Sequence, residues 1–235
     1  MFATLLWGLC FVVGMILTIP ILLFCYLVKL LFGDRIADKF IYVFTRFWGR
    51  AIVSTTGARV SVTGSENVPD AGNLCCIANH QSFFDIPLLI GWLGVPLGFI
   101  AKKELKKIPV LNGWITIIHS AFIDRSNPRR AIESISKGAE SIRNGHPIVI
   151  FPEGTRSKTS AIAEFKAGSL KLPLSSQAVI LPVTIKGTRL MYEATQRIRR
   201  TEVSLTIHKP IHPDDAIYND KTALAKHLQQ IISSV

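Results

Sequence analysis

The sequence predicts an α/β fold: a mostly parallel central sheet flanked by helices, with an N-terminal membrane-associated helix pair. Three observations lead there. Residues 1–28 contain no Asp, Glu, Lys or Arg and are dominated by apolar side chains. From Gly57 onward, short β-branched apolar runs alternate with helix-like segments. The segments between strands span roughly ten to twenty residues, which suits the helical crossovers of a parallel sheet. The 235 residues are 49% hydrophobic and only 18% charged, which excludes a disordered chain, a collagen and a coiled coil.

Residues 5–31 read as one helix interrupted by Pro20. At 1.5 Å per residue such a helix reaches roughly 40 Å, more than the ~30 Å hydrocarbon core of a bilayer. It is too long for the apolar region of a signal peptide, has no basic residue before it and offers no small-residue cleavage site. Pro20 removes a backbone donor and should kink the helix, so the segment either spans or enters one leaflet and turns. Asp34 to Thr55 reads as an amphipathic helix. Arg35, Lys39, Arg46 and Arg50 form its basic stripe, beside Ile36, Phe40, Val43, Phe44, Phe47 and Ala51. Such a helix lies among lipid headgroups or packs its apolar face on a globular domain. Cations follow the leader and none precede it, so the rest of the chain lies on the cytoplasmic side if the leader spans. The expected division is a 1–56 anchoring segment and a 57–235 α/β domain.

Seven strands are expected: Arg59–Thr63, Leu74–Ala78, Leu97–Ala101, Ala121–Asp124, Ile148–Phe151, Val179–Ile185 and Val203–His208. Helices are expected at Phe84–Leu93, Glu104–Ile117, Pro128–Asn144, Phe165–Leu174 and Asp220–Ser233. Asn127 before Pro128 and Gly145 beyond Asn144 suit the two ends of the third of these.

Ligands of parallel sheets bind beyond the carboxyl ends of the strands. The residues that follow these strands are therefore informative. Asn79-His80-Gln81-Ser82-Phe83-Phe84-Asp85 follows the second, Lys102-Lys103-Glu104 the third, Arg125 the fourth, and Pro152-Glu153-Gly154-Thr155-Arg156-Ser157 the fifth. His80 with Asp85 five residues on is the base half of a triad, or else a helix-capping pair. A carboxylate on one imidazole nitrogen leaves the other as a base toward a hydroxyl. Lys102, Arg125 and Arg156 at neighbouring strand ends make an anion pocket. Gly154 permits close backbone approach. Glu153 would orient a neighbouring Arg or accept from a substrate hydroxyl.

The chain carries 27 Lys and Arg against 16 Asp and Glu, a formal net charge of +11, and so seeks anions. The charge-free leader favours lipid over nucleic acid, and no nucleic-acid partner is expected. No G-x-S-x-G, G-x-x-x-x-G-K-[ST] or H-E-x-x-H motif occurs. Cys75 or Cys76 offers a thiol-nucleophile alternative. His119, His146, His208, His212 and His227 are scattered without evident partners, so no metal site is expected. Lys103, Lys106 and Lys107 read as a solvated helix face.

The block Asn79–Asp85 resembles the N-H-x-x-x-x-D block of the glycerolipid acyltransferases. Phe122-Ile123-Asp124-Arg125, Phe151–Ser157 and Val179–Val183 resemble their second, third and fourth blocks. The resemblance runs from about Val60 to Lys209 and is closest to the lysophosphatidic acid acyltransferases. It implies that His80 deprotonates the sn-2 hydroxyl of lysophosphatidic acid, with Asp85 positioning the ring. An acyl thioester, acyl-CoA or acyl-carrier protein, would be co-substrate, with no other cofactor, and phosphatidic acid the product of this phospholipid biosynthesis. It further implies that Lys102, Arg125 and Arg156 hold the acceptor phosphate, that Glu153, Gly154 and Thr155 shape the glycerol site, and that the block with Pro182 packs near the acyl-chain path. A sister enzyme acylating glycerol 3-phosphate or another lysolipid, or a non-enzymatic basic membrane-binding module, are the alternatives.

Overall fold

The computed structural model describes residues 2–124, 126–157, 159 and 161–235. Its elements, in chain order, begin with α1 (Phe2–Leu17), α2 (Ile19–Phe32) and α3 (Asp34–Ser54). The α/β part follows with β1 (Arg59–Thr63), β2 (Leu74–Ala78), α4 (Asp85–Trp92), β3 (Gly98–Lys102) and α5 (Pro109–Ile117). Next come β4 (Ala121–Ile123), α6 (Pro128–Arg143), β5 (Ile148–Ile150), α7 (Lys171–Ser176) and β6 (Val179–Lys186). The last elements are α8 (Thr188–Met191), β7 (Glu202–Ile207) and α9 (Lys221–Ser233).

The strands form one seven-stranded sheet in the order β1-β7-β6-β2-β5-β3-β4. Every pairing is parallel except β6 with β7. β2 is buried at all five positions, as a strand covered on both faces must be. Its alternate residues feed two cores. Leu74, Cys76 and Ala78 pack with Leu88 and Leu89 of α4 and Val53 of α3. Cys75 and Ile77 pack with Leu172 of α7 and Leu224 and Leu228 of α9. Asn127 and Asp220 cap α6 and α9 through their side-chain oxygens, each contributing about 1 kcal/mol. Pro182 sits inside β6 opposite Ile77. β7 pairs only from Val183 onward, so the missing N–H at Pro182 breaks no bond of that ladder.

The helix expected over Glu104–Ile117 is instead a 3-10 turn, Lys103–Lys107, followed by α5. Pro109 is the reason: it pushes Ile108 into extended backbone, φ −103° and ψ 102°. The helix expected over Phe165–Leu174 likewise begins as a 3-10 turn, Ala167–Leu170, before α7. The short α8 has no counterpart among the helices expected from the sequence.

The leader breaks at Thr18, with Pro20 in the first turn of α2. Phe2–Phe32 is an apolar run of 31 residues, long enough to cross a membrane, and most of it is uncovered by the rest of the chain. This supports membrane association. α2 and α3 fold back on each other across Gly33, where Lys29 pairs with Asp34 at 2.6 Å. Ala37, Ile41 and Val53 of α3 are buried, the first two against α2 and α5 residues such as Cys25 and Trp114. Ile36, Phe40, Val43 and Phe47 point outward along the same helix, at spacings of four, three and four residues. α3 therefore packs on the domain and also presents an apolar stripe. Its basic stripe is partly consumed by packing: the Arg50 Nε–H donates to the Gly91 carbonyl at 2.8 Å. α3 and α4 meet at Gly49, where a Cβ would fall 2.7 Å from the Pro87 carbonyl oxygen.

Candidate active site

The β2–β5–β3–β4 register sets Ile77 beside Ile150, Phe99 beside Val149 and Lys102 beside Ile123. The loops that leave these strands thus emerge along one edge. The loop after β2 is fixed at its root by Asn79, which is fully buried. Its amide nitrogen donates to the Ile185 carbonyl at 2.8 Å, and its oxygen accepts the Ile185 N–H at 2.7 Å.

His80 comes next. Its Nδ1 lies 2.7 Å from Asp85 Oδ2. Asp85 is the first residue of α4, is completely buried, and accepts the Gln81 and Ser82 N–H groups on the same oxygen, at 2.7 and 2.8 Å. The two backbone N–H groups fix the Asp85 carboxyl in place at the start of α4. Oδ1 is buried with no hydrogen-bond partner among the described residues. With the His80 Nδ1–H donating to Asp85 Oδ2, Nε2 carries the lone pair. The His80 ring is stacked on Phe151, with centroids 4.0 Å apart, and keeps 18% exposure. The pair is thus oriented, partly desolvated and open on one side, which suits general-base chemistry on a hydroxyl.

Glu153 neither orients an arginine nor faces outward. It is buried: Oε1 accepts the His80 N–H at 2.7 Å, and Oε2 accepts the Ser157 hydroxyl and the Ala163 N–H, both at 2.8 Å. With the Ser157 N–H donating to the His80 carbonyl at 2.8 Å, it ties the loop after β5 to the loop after β2. Gly154 turns with φ +77°, in the left-handed region, and a Cβ there would lie 3.1 Å from Lys166 Nζ. Thr155 is exposed in the same turn.

Arg156 joins this assembly. Its guanidinium lies over the Phe83 ring, 3.5 Å from the centroid, and Nη1 approaches Glu193 Oε1 at 3.3 Å. It keeps 36% exposure, so the group is held but remains accessible. Lys102 is exposed at the end of β3. Arg125 lies outside the described residues. Asp124 beside it pairs with Lys103 at 2.8 Å, and that ammonium, with the Ser126 hydroxyl, holds the Asp124 carboxyl well below the usual carboxylate range. Lys103 is therefore not simply a solvated cation, and Lys106 lies over the Phe122 ring.

Cys75 and Cys76 are fully buried in β2, and burial pushes the Cys76 thiol up to about 12 and Cys75 well above its usual value. Neither is a nucleophile. His119 and His146 are not without partners: they stack on each other and share Asp38. His208 Nε2 meets the Thr184 hydroxyl at 2.8 Å.

Glu193 and Lys166 are the participants that sequence reasoning missed. Glu193 accepts the Ser82 hydroxyl at 2.6 Å and the Phe83 N–H at 2.8 Å, besides meeting Arg156. It therefore holds the His80 loop and the arginine together. The available signal was its isolation as the one acid between Arg189 and Arg200, a stretch with four arginines. Glu193→Ala is expected to lower kcat/KM by about tenfold or more, since charge-assisted hydrogen bonds are lost, and Glu193→Gln to restore part of it. Steady-state kinetics beside a thermal melt checks this; wild-type kcat and KM in the alanine variant would contradict it.

The Acyltransferase family model matches residues 59–186. The 1-acyl-sn-glycerol-3-phosphate acyltransferase BAT2 of Brassica napus is 30% identical over 186 residues, covering 78% of this chain and 54% of that protein. The 1-acyl-sn-glycerol-3-phosphate acyltransferase of Borreliella burgdorferi is 34% identical over 157 residues, 67% of this chain and 62% of its own length. The chain thus spans little more than half the length of several curated relatives. The crystal structure of the 1-acyl-sn-glycerophosphate acyltransferase PlsC from Thermotoga maritima superposes with a TM-score of 0.86 at 31% identity, covering 99% of this chain and 92% of that one. With more than half of its length matched by the family model and nearly all of it by a solved member, the chain belongs to the acyltransferase family.

Proposed function

We propose that this chain transfers a fatty acyl group from an acyl thioester to the sn-2 hydroxyl of lysophosphatidic acid, giving phosphatidic acid. The observation that carries the reading is one loop, Asn79–Asp85, which holds the His80–Asp85 pair at 2.7 Å and touches Arg156 through Phe83. This loop thereby carries the base for the hydroxyl and contacts the cation for the phosphate. The names of the relatives support the choice of acceptor.

In this reading His80 Nε2 takes the proton of the sn-2 hydroxyl as its oxygen attacks the thioester carbonyl. Asp85 stabilises the imidazolium that forms. The new C–O bond replaces the C–S bond, the thiolate leaves, and the imidazolium returns the proton to it. Arg156 and Lys102 hold the phosphate, with Arg125 a third candidate and Lys166 arriving above Gly154. Glu153 acts by positioning the His80 backbone. Acyl-CoA and acyl-carrier protein are both suitable donors, and no further cofactor enters the step. Trp7 of α1 packs 5.4 Å from Phe84, so the leader reaches the same loop and offers the acyl chains a path from the bilayer. If the leader spans, the cations that follow it favour a cytoplasmic position for the α/β part.

Arg156→Ala tests the acceptor assignment. Its expected effect is a KM for lysophosphatidic acid raised by about 10- to 100-fold, the scale of a lost charge-assisted contact, with kcat changed less. Transfer to 1-acylglycerol, which lacks the phosphate, should hardly change. An unaltered KM for lysophosphatidic acid would remove Arg156 from the phosphate site. Faster wild-type transfer to glycerol 3-phosphate or to 1-acylglycerol than to lysophosphatidic acid would overturn the acceptor.

A further inference from the structure

The segment between α8 and β7 carries Arg197, Arg199 and Arg200, and no Asp or Glu occurs between Glu193 and Glu202. All three arginines are exposed, and none forms an ion pair among the described residues. The two flanking acids are placed elsewhere. Glu193 holds Ser82, Phe83 and Arg156, and Glu202 lies beside Arg59 in the β1–β7 register. The backbone that carries the arginines is fixed. The Gln196 N–H donates to the Tyr192 carbonyl at 2.7 Å, and the Arg199 N–H to the Met191 carbonyl at 3.0 Å.

This segment abuts the first turn of the apolar leader. The Ile198 N–H donates to the Thr4 hydroxyl oxygen at 3.1 Å, and Phe2, Leu5 and Leu6 around Thr4 are exposed. The leader then runs back along α3. The Trp7 indole N–H donates to the Thr55 hydroxyl oxygen at 3.1 Å, a Cβ at Gly14 would lie 2.8 Å from the Trp48 ring, and Leu22 and Cys25 pack with Ala37 and Ile41. α3 has 21 residues, so this apolar body is roughly 30 Å long. Its far end, at the Gly33 turn, carries the exposed Arg35 and Lys39. A bilayer interface takes apolar side chains among its acyl chains and cations among its headgroups. Arginine in particular matches a phosphate with a pair of parallel N–H groups. The two cation groups stand roughly 30 Å apart, beyond the ~8 Å Debye length, so each contributes as a separate contact. Nucleic acid would also attract arginines, but it offers nothing to the exposed Phe2, Leu5 and Leu6 beside them.

We propose that Arg197, Arg199 and Arg200 form a headgroup-binding surface for anionic phospholipid, where the segment between α8 and β7 meets the start of the leader. The contact lies outside α1–α3, so the α/β part itself touches the membrane. Glu193 in the same segment holds Ser82, Phe83 and Arg156, so the contact also fixes the candidate active site close to the lipid surface. The inference rests on membrane association of the leader and is independent of the acyl-transfer chemistry.

The test is a competition for the full chain, delivered from detergent, between vesicles of phosphatidylcholine alone and vesicles of phosphatidylcholine with phosphatidylglycerol. Flotation reads the partition ratio, with no acyl donor or acceptor present. Wild-type protein is expected to prefer the anionic vesicles, less so as salt is raised. At low salt the double variant Arg197→Gln/Arg199→Gln should lower the ratio by about 25-fold, and adding Arg200→Gln by about 100-fold in all, on the order of fivefold per arginine. The Arg200 stem packs over the turn at Gly57, so the double variant decides the matter if the triple one does not fold. The control Lys137→Gln/Lys171→Gln/Lys226→Gln removes the same charge from α6, α7 and α9, which cover the other face of the sheet. Its ratio should change by less than about threefold. Wild-type protein without a preference, folded arginine variants with the wild-type ratio, or an equal fall in the lysine control would overturn the proposal. Arginine variants that lose affinity for single-stranded RNA while keeping the vesicle ratio would overturn it in favour of nucleic acid. Each of these outcomes leaves the acyl-transfer reading untouched, because that reading is scored by turnover at His80.

Discussion

Replacing His80 with alanine is expected to lower acyl transfer by about 10²–10⁴-fold, the contribution of a positioned general base. The fall should appear in kcat, because the ring acts on the hydroxyl proton and not on the phosphate. The fold should survive. The ring stacks on Phe151 and bonds Asp85, but Asp85 retains the Gln81 and Ser82 N–H groups without it, and the Glu153 anchor uses the His80 backbone. Labelled-acyl turnover with a thermal melt on the same sample checks both parts. A folded His80→Ala protein with wild-type kcat would remove His80 as the base.

Asp85→Asn is expected to cost nearly as much, again about 10²–10⁴-fold in kcat, for a different reason. Oδ2 accepts three N–H groups in the native protein. A carboxamide keeps one oxygen but loses the charge that stabilises an imidazolium. It also brings an NH₂ into a fully buried site. Leaving a buried polar group mismatched costs about 1–3 kcal/mol, so a lower Tm should accompany the loss of rate. The alternative role, Asp85 as a helix cap alone, predicts the lower Tm with kcat unchanged among molecules that remain folded. Turnover per folded molecule, measured well below the variant's Tm, separates the two roles.

Several elements could be read from the sequence because local pattern determines them. β1 and β2 match their expected bounds, since a short apolar run between turn residues has few other homes in an α/β chain. The His80–Asp85 pair was legible for a similar reason: five residues from a strand end to the first turn of a helix is a local distance. Pro109 carried a break that periodicity alone obscured. Two other features depend on tertiary topology. Glu193 reaches Ser82 across 111 residues, and Asp38 reaches His119 across 81. No periodic signal links such pairs, because which loops meet depends on strand order, and here β6 lies beside β2. Glu153 shows the complementary limit. Its place in the turn after β5 was readable, but its direction was not, since an acid beside an arginine in sequence can equally bond backbone N–H groups in a neighbouring loop.

The account rests on one acceptor being gripped by its phosphate while its hydroxyl meets an imidazole. The most direct measurement is a structure of the full chain with lysophosphatidic acid bound and no acyl donor. The sn-2 oxygen is predicted within about 2.6–3.2 Å of His80 Nε2, or one water away, with the phosphate against Arg156 and Lys102. A phosphate bound elsewhere, with the glycerol out of reach of His80, would contradict the account.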